Sequence, residues 1–512
     1  MTTDWTAGYI ADIAYTFGYY RELNPLNARL PLLSANLVVP EIQTACELGY
    51  GHGMSTNIHA AASTVQWYGT DFNPTQAAFA QQLASTSGAG VKLWDEAFAD
   101  FVNRPDLPDF DFIALHGIWS WISDENRSVI VEFIRRRLKV GGLLYVSYNT
   151  LPGWASFAPM RHLMTEHAEV IGSEGRGIVN RIGDALDFAD RMLKTNPRFG
   201  AANPGMADRI NQLKAMNRQY LAHEYFNRDW HPMHFSTMAE WLTPAKVTYA
   251  CSASLLDHVD VINITPEQQA FLQDIPDAMF RESVRDFMVN QPFRRDYWIK
   301  GPRPLSPLVR AEKLRAERVM LANPRSKVTL KATGALGEAS FSEKIYDPIL
   351  DVLADYKPKT VEQIERAVAG LEGITSAHIL EAIRVLNGNG TIMPVQDDVV
   401  AAKVRKQTER LNGAVMNIAR GSSEIMYLAS PVVGGGIPIS RFHQLFLYAV
   451  THGRKTPAEW VQVAWDILSA QGQRIIKDGV TLEGAEANIA ELTERAEELV
   501  ALLPTLKALG IV

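Results

Sequence analysis

The 512-residue sequence has few cysteines and no long apolar run. Cys46 and Cys251 are its two cysteines. Two cysteines are too few for a disulfide framework, and these two do not have the spacing of a thiolate metal site. No run of about 18 apolar residues occurs, and no basic residue or apolar segment marks the N-terminus before Arg21. The sequence therefore predicts neither a membrane span nor an export signal, and we expect the protein in the cytoplasm.

The chain also lacks an excess of basic residues. Its 50 lysines and arginines are outnumbered by 57 acidic residues, which gives a net charge of −7. Nucleic-acid binding needs clustered basic groups, so no nucleic-acid partner is expected. The apolar fraction of 47% and the charged fraction of 21% are typical of a soluble globular protein, and the length predicts two or three domains. Nothing in the sequence indicates the oligomeric state.

Residues 44–55 form the most informative stretch of the sequence. A short apolar run there contains one acid, Glu47, near its end and is followed by glycines at every second position. It predicts a strand that ends at Glu47 or Leu48, a turn, and a helix that begins near Met54. The glycines allow a nucleotide-like ligand to approach backbone N–H groups at a helix N-terminus. Met54 replaces the third glycine of a dinucleotide fingerprint, which disfavours NAD. An acid before the turn suits a ligand ammonium group better than a pyrophosphate.

The pattern Glu47-x-Gly49-x-Gly51-x-Gly53 resembles the first motif of class I S-adenosylmethionine-dependent methyltransferases. The resemblance implies that these four residues, together with Leu48, hold the methionyl part of the cofactor.

Asp71 follows a predicted second strand and lies 24 residues beyond Glu47, the spacing of a ribose-binding acid. It could instead cap the next helix, but Asn73 followed by Pro74 is the better cap and leaves Asp71, with the adjacent Phe72, for the ligand.

The third and fourth strands supply the remaining cofactor candidates. Glu96 and Phe98, with Ala97 between them, resemble the adenine-binding positions of the family, and Asp95 competes with Glu96 for this role. The near-continuous apolar run 110–117 predicts a central parallel strand whose C-terminal end points to the ligand. His116 at this end is a cofactor-binding and catalytic candidate, although a strand-end histidine can also be structural.

Several further stretches resemble the bacterial protein lysine methyltransferases described from rickettsiae, which also carry a methyltransferase regulatory domain. These stretches are Tyr20 to Leu23, Phe110 to Ser123, Tyr148 to Trp154, Phe293 to Trp298, and Tyr427 to Pro438. The resemblance implies S-adenosylmethionine as the cofactor and lysine side chains of a bacterial protein as the methyl acceptors. A small-molecule or saccharide acceptor is the alternative. The sequence also predicts a winged-helix-like domain over 336–400, which could belong to a cofactor-sensing DNA-binding regulator. This alternative is disfavoured because the third helix of that domain carries only Arg384 as a basic residue among its exposed residues.

Methylation of lysine requires a neutral amine, whereas lysine has a pKa of about 10.4 in water. Aromatic walls could desolvate the ammonium group. The candidates for this channel are Tyr15, Tyr20, Trp119, Tyr148 and Trp154. The catalytic candidates are Tyr20 and Tyr148 from this set together with His116, with His116 or Tyr148 orienting the amine or passing its proton to water.

The predicted fold class is α/β. Residues 1–302 are expected to form a doubly wound, seven-stranded, Rossmann-like methyltransferase domain with a helical insertion at about 155–232. A linker over 303–335, a winged-helix-like domain over 336–400 and a helical regulatory or substrate domain over 401–512 are expected to follow.

Two polar or aromatic groups outside the motifs are ambiguous. Five aromatic residues near the N-terminus predict either a helix packed on the sheet or a lid over the cofactor: Tyr9, Tyr15, Phe17, Tyr19 and Tyr20. In the insertion and just after it, His223, Glu224, His231 and His234 do not have the spacing of a standard metal site, so substrate contact is preferred and no metal is expected.

Overall fold

A computed structural model describes residues 16–172, 175 and 177–512, so Tyr9 and Tyr15 lie outside the described residues. Its largest sheet contains β1 (Thr44–Leu48), β2 (Gln66–Thr70), β3 (Lys92–Trp94), β4 (Phe110–Leu115), β5 (Leu138–Asn149), β6 (Thr248–Ser252) and β7 (Phe293–Ile299). The strand order is β3-β2-β1-β4-β5-β7-β6. Strands β1 to β5 are parallel, and β7 is antiparallel to both of its neighbours. The predicted seven-stranded, doubly wound fold is confirmed.

The helices lie on both faces of this sheet and beyond it. The first part of the chain contains α1 (Pro25–Ser34), α2 (Met54–Ala62), α3 (Pro74–Ser87), α4 (Phe98–Phe101), α5 (Asp124–Arg137), α6 (Leu151–Trp154), α7 (Ala158–Val170), α8 (Gly177–Lys194), α9 (Arg198–Ala202), α10 (Met206–Ala215), α11 (Arg218–Tyr225), α12 (Phe235–Leu242), α13 (Asp260–Asn263), α14 (Pro266–Gln273) and α15 (Ala278–Met288). The second part contains α16 (Pro307–Ala316), α17 (Glu343–Leu353), α18 (Val361–Val368), α19 (Ser376–Gly388), α20 (Asp398–Ile418), α21 (Arg441–Thr451), α22 (Pro457–Ala470) and α23 (Gly484–Ala508). None of the helices within the described ranges has an apolar stretch long enough to cross a bilayer.

The register of the central strands positions the ligand edge. Glu47 on β1 pairs with Gly69 on β2 and with Ala114 on β4, so the three parallel strands end at the same level. The residues that follow them, Asp71 and His116, therefore lie along one edge of the sheet with Glu47. Ligands of open α/β sheets bind at this edge.

A helical insertion separates β5 from β6. Helices α7, α8, α10 and α11 bury a core of their own, which includes Met160, Ile182, Leu186, Ile210 and Leu221. The four helices form a compact lobe that is held together by its own apolar contacts. Its α11 end lies over the ligand edge.

The predicted linker over 303–335 is wrong. This segment contains α16 and a strand, and further strands follow it: β8 (Arg318–Leu321), β9 (Lys331–Gly334), β10 (Gly337–Ser340), β11 (Lys359–Thr360), β12 (Ile392–Pro394), β13 (Tyr427–Ser430), β14 (Gly435–Pro438), β15 (Ile476–Lys477) and β16 (Val480–Thr481). Strand β8 is the central strand of the sheet β11-β8-β12, which packs with α17, α18 and α19. The winged-helix-like unit therefore begins before residue 336, because its central strand comes from the supposed linker.

The C-terminal helical region packs directly on α2, next to the seven-stranded sheet. Helix α20 and the hairpin β13–β14 contact α2, and one apolar core includes Met54 and Ile58 of α2 together with Leu411, Leu428 and Phe446. Hydrogen bonds reinforce the contact: Gln396 donates through Nε2 to the carbonyl of Ala62 at 2.8 Å. The predicted boundaries at 302 and 400 remain predictions, but apolar cores extend across both.

Candidate cofactor site

A cavity of about 360 Å³ opens at the ligand edge of the sheet. Most of the predicted cofactor and catalytic residues line it: Tyr20, Glu47, Gly49, Gly51, Asp71, Phe72, Glu96, Ala97, Phe98 and His116. From the insertion side, it is lined by His223, Glu224, Asn227, Arg228 and Asp229. The cavity therefore brings residues that are far apart in the sequence to one place.

Glu47 is a buried acid at the end of β1. Its exposed fraction is 3%, and its Oε2 accepts a hydrogen bond from the Thr56 hydroxyl. Burial raises the pKa of Glu47 to about 8, because desolvation outweighs the Thr56 bond and the nearby negative charge of Asp71 adds to the rise. A carboxyl in this state is ready to ionise against a ligand cation that enters the cavity.

Asp71 organises the glycine turn as well as lining the cavity. Its carboxylate accepts hydrogen bonds from the backbone N–H of Gly51 at 2.9 Å and of Asn73 at 3.0 Å. Burial raises its pKa to about 6 in spite of these bonds. The side chain of Asn73 accepts from the N–H groups of Thr75 and Gln76, so Asn73 caps α3 and Asp71 is not needed for this role.

The glycine turn is conformationally strict at Gly49. Gly49 has φ +74°, and a Cβ at this position would lie 2.4 Å from Cδ1 of Ile118, which lines the cavity. Gly53 has φ +66° and lies where a Cβ would be 2.6 Å from Cβ of Ala80, so it allows α2 and α3 to approach. Gly53 and Leu48 do not line the cavity, which corrects their assignment as contact residues; Leu48 is buried in β1.

We expect Gly49→Ala to weaken cofactor binding about tenfold, since the left-handed conformation costs an L-residue about 1–2 kcal/mol and the new methyl displaces Ile118. Isothermal titration calorimetry with S-adenosylhomocysteine measures the effect. Gly141→Ala is the matched control, because Gly141 has φ +83° but its Cβ would meet nothing within 4 Å and it lies outside the cavity. Equal losses of affinity in the two variants would contradict the assignment.

The far end of the cavity suits a purine. Oε1 of Glu96 accepts from Arg104 at 2.6 Å, whereas Oε2 is buried and has no hydrogen-bond partner in the part of the chain that the structure describes. Phe72, Phe98 and Ile118 add apolar walls. Asp95, the competing candidate, is exposed and does not line the cavity. An unpartnered acceptor beside apolar walls fits an exocyclic amino group on a flat ring.

His116 lies at the opposite end, in an aromatic setting. The ring of Tyr20 stacks on the imidazole with centroids 3.5 Å apart, and Nδ1 of His116 is 2.8 Å from the hydroxyl of Tyr145. Burial lowers the pKa of His116 to about 3, with a smaller effect from Arg295. The imidazole is therefore neutral at physiological pH. A neutral ring beside the cavity adds no charge that would repel a cationic ligand.

Tyr148 does not belong to the cavity, which corrects its assignment as a catalytic candidate. Its side chain is 1% exposed and its hydroxyl donates to Oδ2 of Asp296 at 2.8 Å, on the β7 side of β5. Trp119 is buried against Met233, and Trp154 packs in the insertion core. Of the five predicted channel aromatics, Tyr20 alone lines the cavity among the described residues.

Sequence reasoning missed other lining residues. Ile118 and Asn126 follow β4, and His52 in the glycine turn stacks on Phe17 at 3.9 Å. Their position directly after a motif was the available signal. His223 and Glu224 line the cavity, whereas His231 and His234 do not, and contact of these residues with a substrate stays a prediction. The described residues contain no group of three potential ligands that could hold a metal ion.

Comparisons with known proteins agree with this geometry. Residues 46–146 match the family model described as a methyltransferase domain, and residues 217–300 match the predicted methyltransferase regulatory domain. The chain is 39% identical over 513 aligned residues to an uncharacterized protein of Synechocystis, with 99% of each chain covered. The chain belongs to this family of class I S-adenosylmethionine-dependent methyltransferases.

The methyltransferase also has more distant relatives. It is 24% identical over 297 residues to an uncharacterized protein of Rickettsia prowazekii, of whose length the alignment covers 51%. The structure of PKMT2 from Rickettsia typhi in complex with AdoHcy superimposes with a TM-score of 0.66 at 18% identity, covering 96% of this chain and 99% of that one. The shared fold thus extends from the sheet to the C-terminal helices.

S-adenosylmethionine is the cofactor of this methyltransferase. The residues present fit it: Glu47 is a buried acid for an ammonium group, and Oε2 of Glu96 is an orphaned acceptor for an amino group. Gly49 and Gly51 expose backbone where a Cβ would hinder approach.

Proposed function

We propose that this enzyme transfers a methyl group to lysine side chains of a protein. The observation that carries the proposal is the uncharged aromatic end of the cavity, where Tyr20 stacks on the neutral ring of His116. An amine must lose its proton before it can attack a methyl carbon. Rings that exclude water from this end desolvate the ammonium group, which favours the neutral amine. The whole-chain fold likeness to PKMT2 supports a macromolecular acceptor, because it includes the large C-terminal half.

The proposed roles follow the lining of the cavity. Bound S-adenosylmethionine supplies an electrophilic methyl group on a sulfonium ion. Glu47 and the turn at Gly49 to Gly51 hold its amino-acid part, while Asp71 holds the ribose. Glu96 and Phe98 hold the adenine. Tyr20 and His116 position the acceptor nitrogen, whose proton passes to water; orientation and exclusion of water account for most of the rate enhancement.

The substrate class can be tested by mass spectrometry of a bacterial lysate incubated with the purified enzyme and a cofactor carrying an isotopically labelled methyl group. We expect the label on lysine side chains, and about tenfold less label with the Gly49→Ala variant at cofactor concentrations below the Kd of the unmodified enzyme. Label found in small molecules or glycans and absent from lysine would contradict the proposal while leaving the methyltransferase assignment intact.

A further inference from the structure

A second cavity, of about 470 Å³, opens on the same edge of the sheet at the ends of β6 and β7. It shares no lining residue with the cofactor cavity. The strand order places it two to three strand spacings from His116, which is about 10–15 Å. Its walls include Glu282 and Asp286 of α15, and Arg294, Arg295 and Asp296 of β7.

Three carboxylates surround a single guanidinium in the wall of this cavity. Arg294 donates through Nη1 to Asp286 at 2.6 Å, through Nε to Asp296 at 2.8 Å, and through Nη2 to Glu282 at 3.0 Å. One positive charge against three negative charges leaves a net charge of −2 when all four groups are ionised. Arg294, Asp286 and Asp296 are each at most 5% exposed, so water compensates this charge poorly.

The other arginines of the cavity do not neutralise this excess of negative charge. Arg295 lies 3.7 Å from Glu22, and Arg285 lies 3.0 Å from Asp260, so each has an acid of its own. Arg281, Arg310 and Arg384 line a neighbouring cavity beyond Glu282. The acidic region is therefore confined to the side formed by α15 and β7.

One carboxylate oxygen in this cluster lacks any partner. Asp286 lines the cavity and is 97% buried. Its Oδ2 atom accepts no hydrogen bond from the residues that the structure describes. Burial and the neighbouring carboxylates raise the pKa of Asp286 to about 7, while Arg294 opposes the rise. A second cation at this position would provide the missing hydrogen bond and reduce the excess negative charge.

A chain of contacts joins this cavity to the catalytic end of the first. The guanidinium of Arg295 lies 5.4 Å from the ring of Phe293, and that ring lies 6.2 Å from His116. Among the described residues, no group of carboxylates and histidines is arranged to hold a metal ion, so an organic cation suits this acidic cavity better than an inorganic one.

We propose that this second cavity binds a lysine or arginine side chain of the protein substrate, close in sequence to the lysine that is methylated. This inference rests on the proposed function. Extended polypeptide advances about 3.3 Å per residue, so the cationic residue should lie about three to five residues from the target. Glu282 and Asp286 are its expected partners, and the site selects basic segments as substrates.

The test uses the full-length enzyme and acetylated peptides that contain one lysine, with a single arginine placed at successive positions two to six residues away. Arginine carries the charge without offering a second methylatable lysine. We expect one spacing to lower KM about tenfold relative to a peptide with glutamine at that position, as a charge-assisted hydrogen bond would. The advantage should be lost in Asp286→Asn and in Glu282→Gln, and kept in Asp274→Asn, which removes an exposed carboxylate outside the cavity.

The outcomes separate the two proposals. The same arginine advantage in both cavity variants, or no advantage at any spacing in the unmodified enzyme, would overturn the cation site and leave lysine methylation standing. Failure to methylate any lysine peptide would overturn the proposed function and this inference with it. Glu282 is only partly buried, so Glu282→Gln keeps the test valid if Asp286→Asn folds poorly.

Discussion

Replacing Arg294 with methionine should destabilise the protein by about 3–5 kcal/mol, the usual cost of removing one partner from a buried ionic cluster. The substitution keeps much of the side-chain volume but leaves Glu282, Asp286 and Asp296 without their shared cation. Asp296 would retain the hydroxyl of Tyr148, and Glu282 the hydroxyl of Tyr249. Urea denaturation followed by circular dichroism measures the change.

The dependence of this loss on pH identifies its cause. Burial already raises the pKa of Asp286 to about 7 and Arg294 opposes this rise, so removal of the guanidinium raises this pKa further in the folded protein. The destabilisation should then grow as pH rises through 7 and shrink as pH falls toward 5, because a protonated Asp286 does not need the guanidinium. Arg135→Met, which breaks an exposed pair with Glu132, should cost much less stability at either pH. A loss for Arg294→Met that does not change with pH would contradict the electrostatic account.

Glu47→Gln should raise the dissociation constant for S-adenosylmethionine about 10- to 150-fold. The amide matches the carboxyl in shape but cannot provide the charge-assisted hydrogen bond to an ammonium group, which contributes about 1.5–3 kcal/mol. Glu125→Gln is the matched control, because Glu125 lines the same cavity but is exposed. We expect a much smaller change for the control in the same calorimetric titration.

Proton release gives an independent test of Glu47. Its pKa is about 8 in the free protein, so at pH 6.5 the carboxyl is mostly protonated and must ionise when the ligand ammonium group binds. Titrations in buffers of different ionisation enthalpy should therefore show release of nearly one proton by the unmodified enzyme and none attributable to this site in Glu47→Gln. The raised pKa also means that stability falls as pH rises from about 4.5 to 8, and the variant should lose this slope. Equal proton release by both proteins would contradict the role of Glu47.

The sequence predicted the cofactor end of the site better than the acceptor end, for a physical reason. Glu47, Asp71 and Glu96 each lie within two residues of the C-terminal end of a strand, and parallel strands bring these ends to one edge whatever the rest of the chain does. Tyr148 is different, because β5 is buried on both faces and no alternation of polar and apolar residues marks the direction of its side chains. Its partner Asp296 belongs to β7, 148 residues further along the chain.

The prediction of a linker over 303–335 failed for a similar reason. Proline and basic residues in 303–335 indicate an irregular segment by local rules, but β8 forms by pairing with β12, in which Met320 lies opposite Met393. Non-local pairing leaves little trace in a short window of sequence. The helices of the winged-helix-like unit were easier to predict, since Thr360 and Gln363 form a capping box that depends on neighbours alone.

Helix α2, which begins at the glycine turn, has no face in water: all nine of its residues are buried, partly beneath α20 and the β13–β14 hairpin. In a fragment that contains only the first 302 residues, Met54, Ile58 and Leu83 would be exposed to solvent. Such a fragment should aggregate. The C-terminal half is thus no removable accessory. If the protein were expressed as two chains divided at residue 302, we expect activity only when both chains are produced together and associate through the surface of α2.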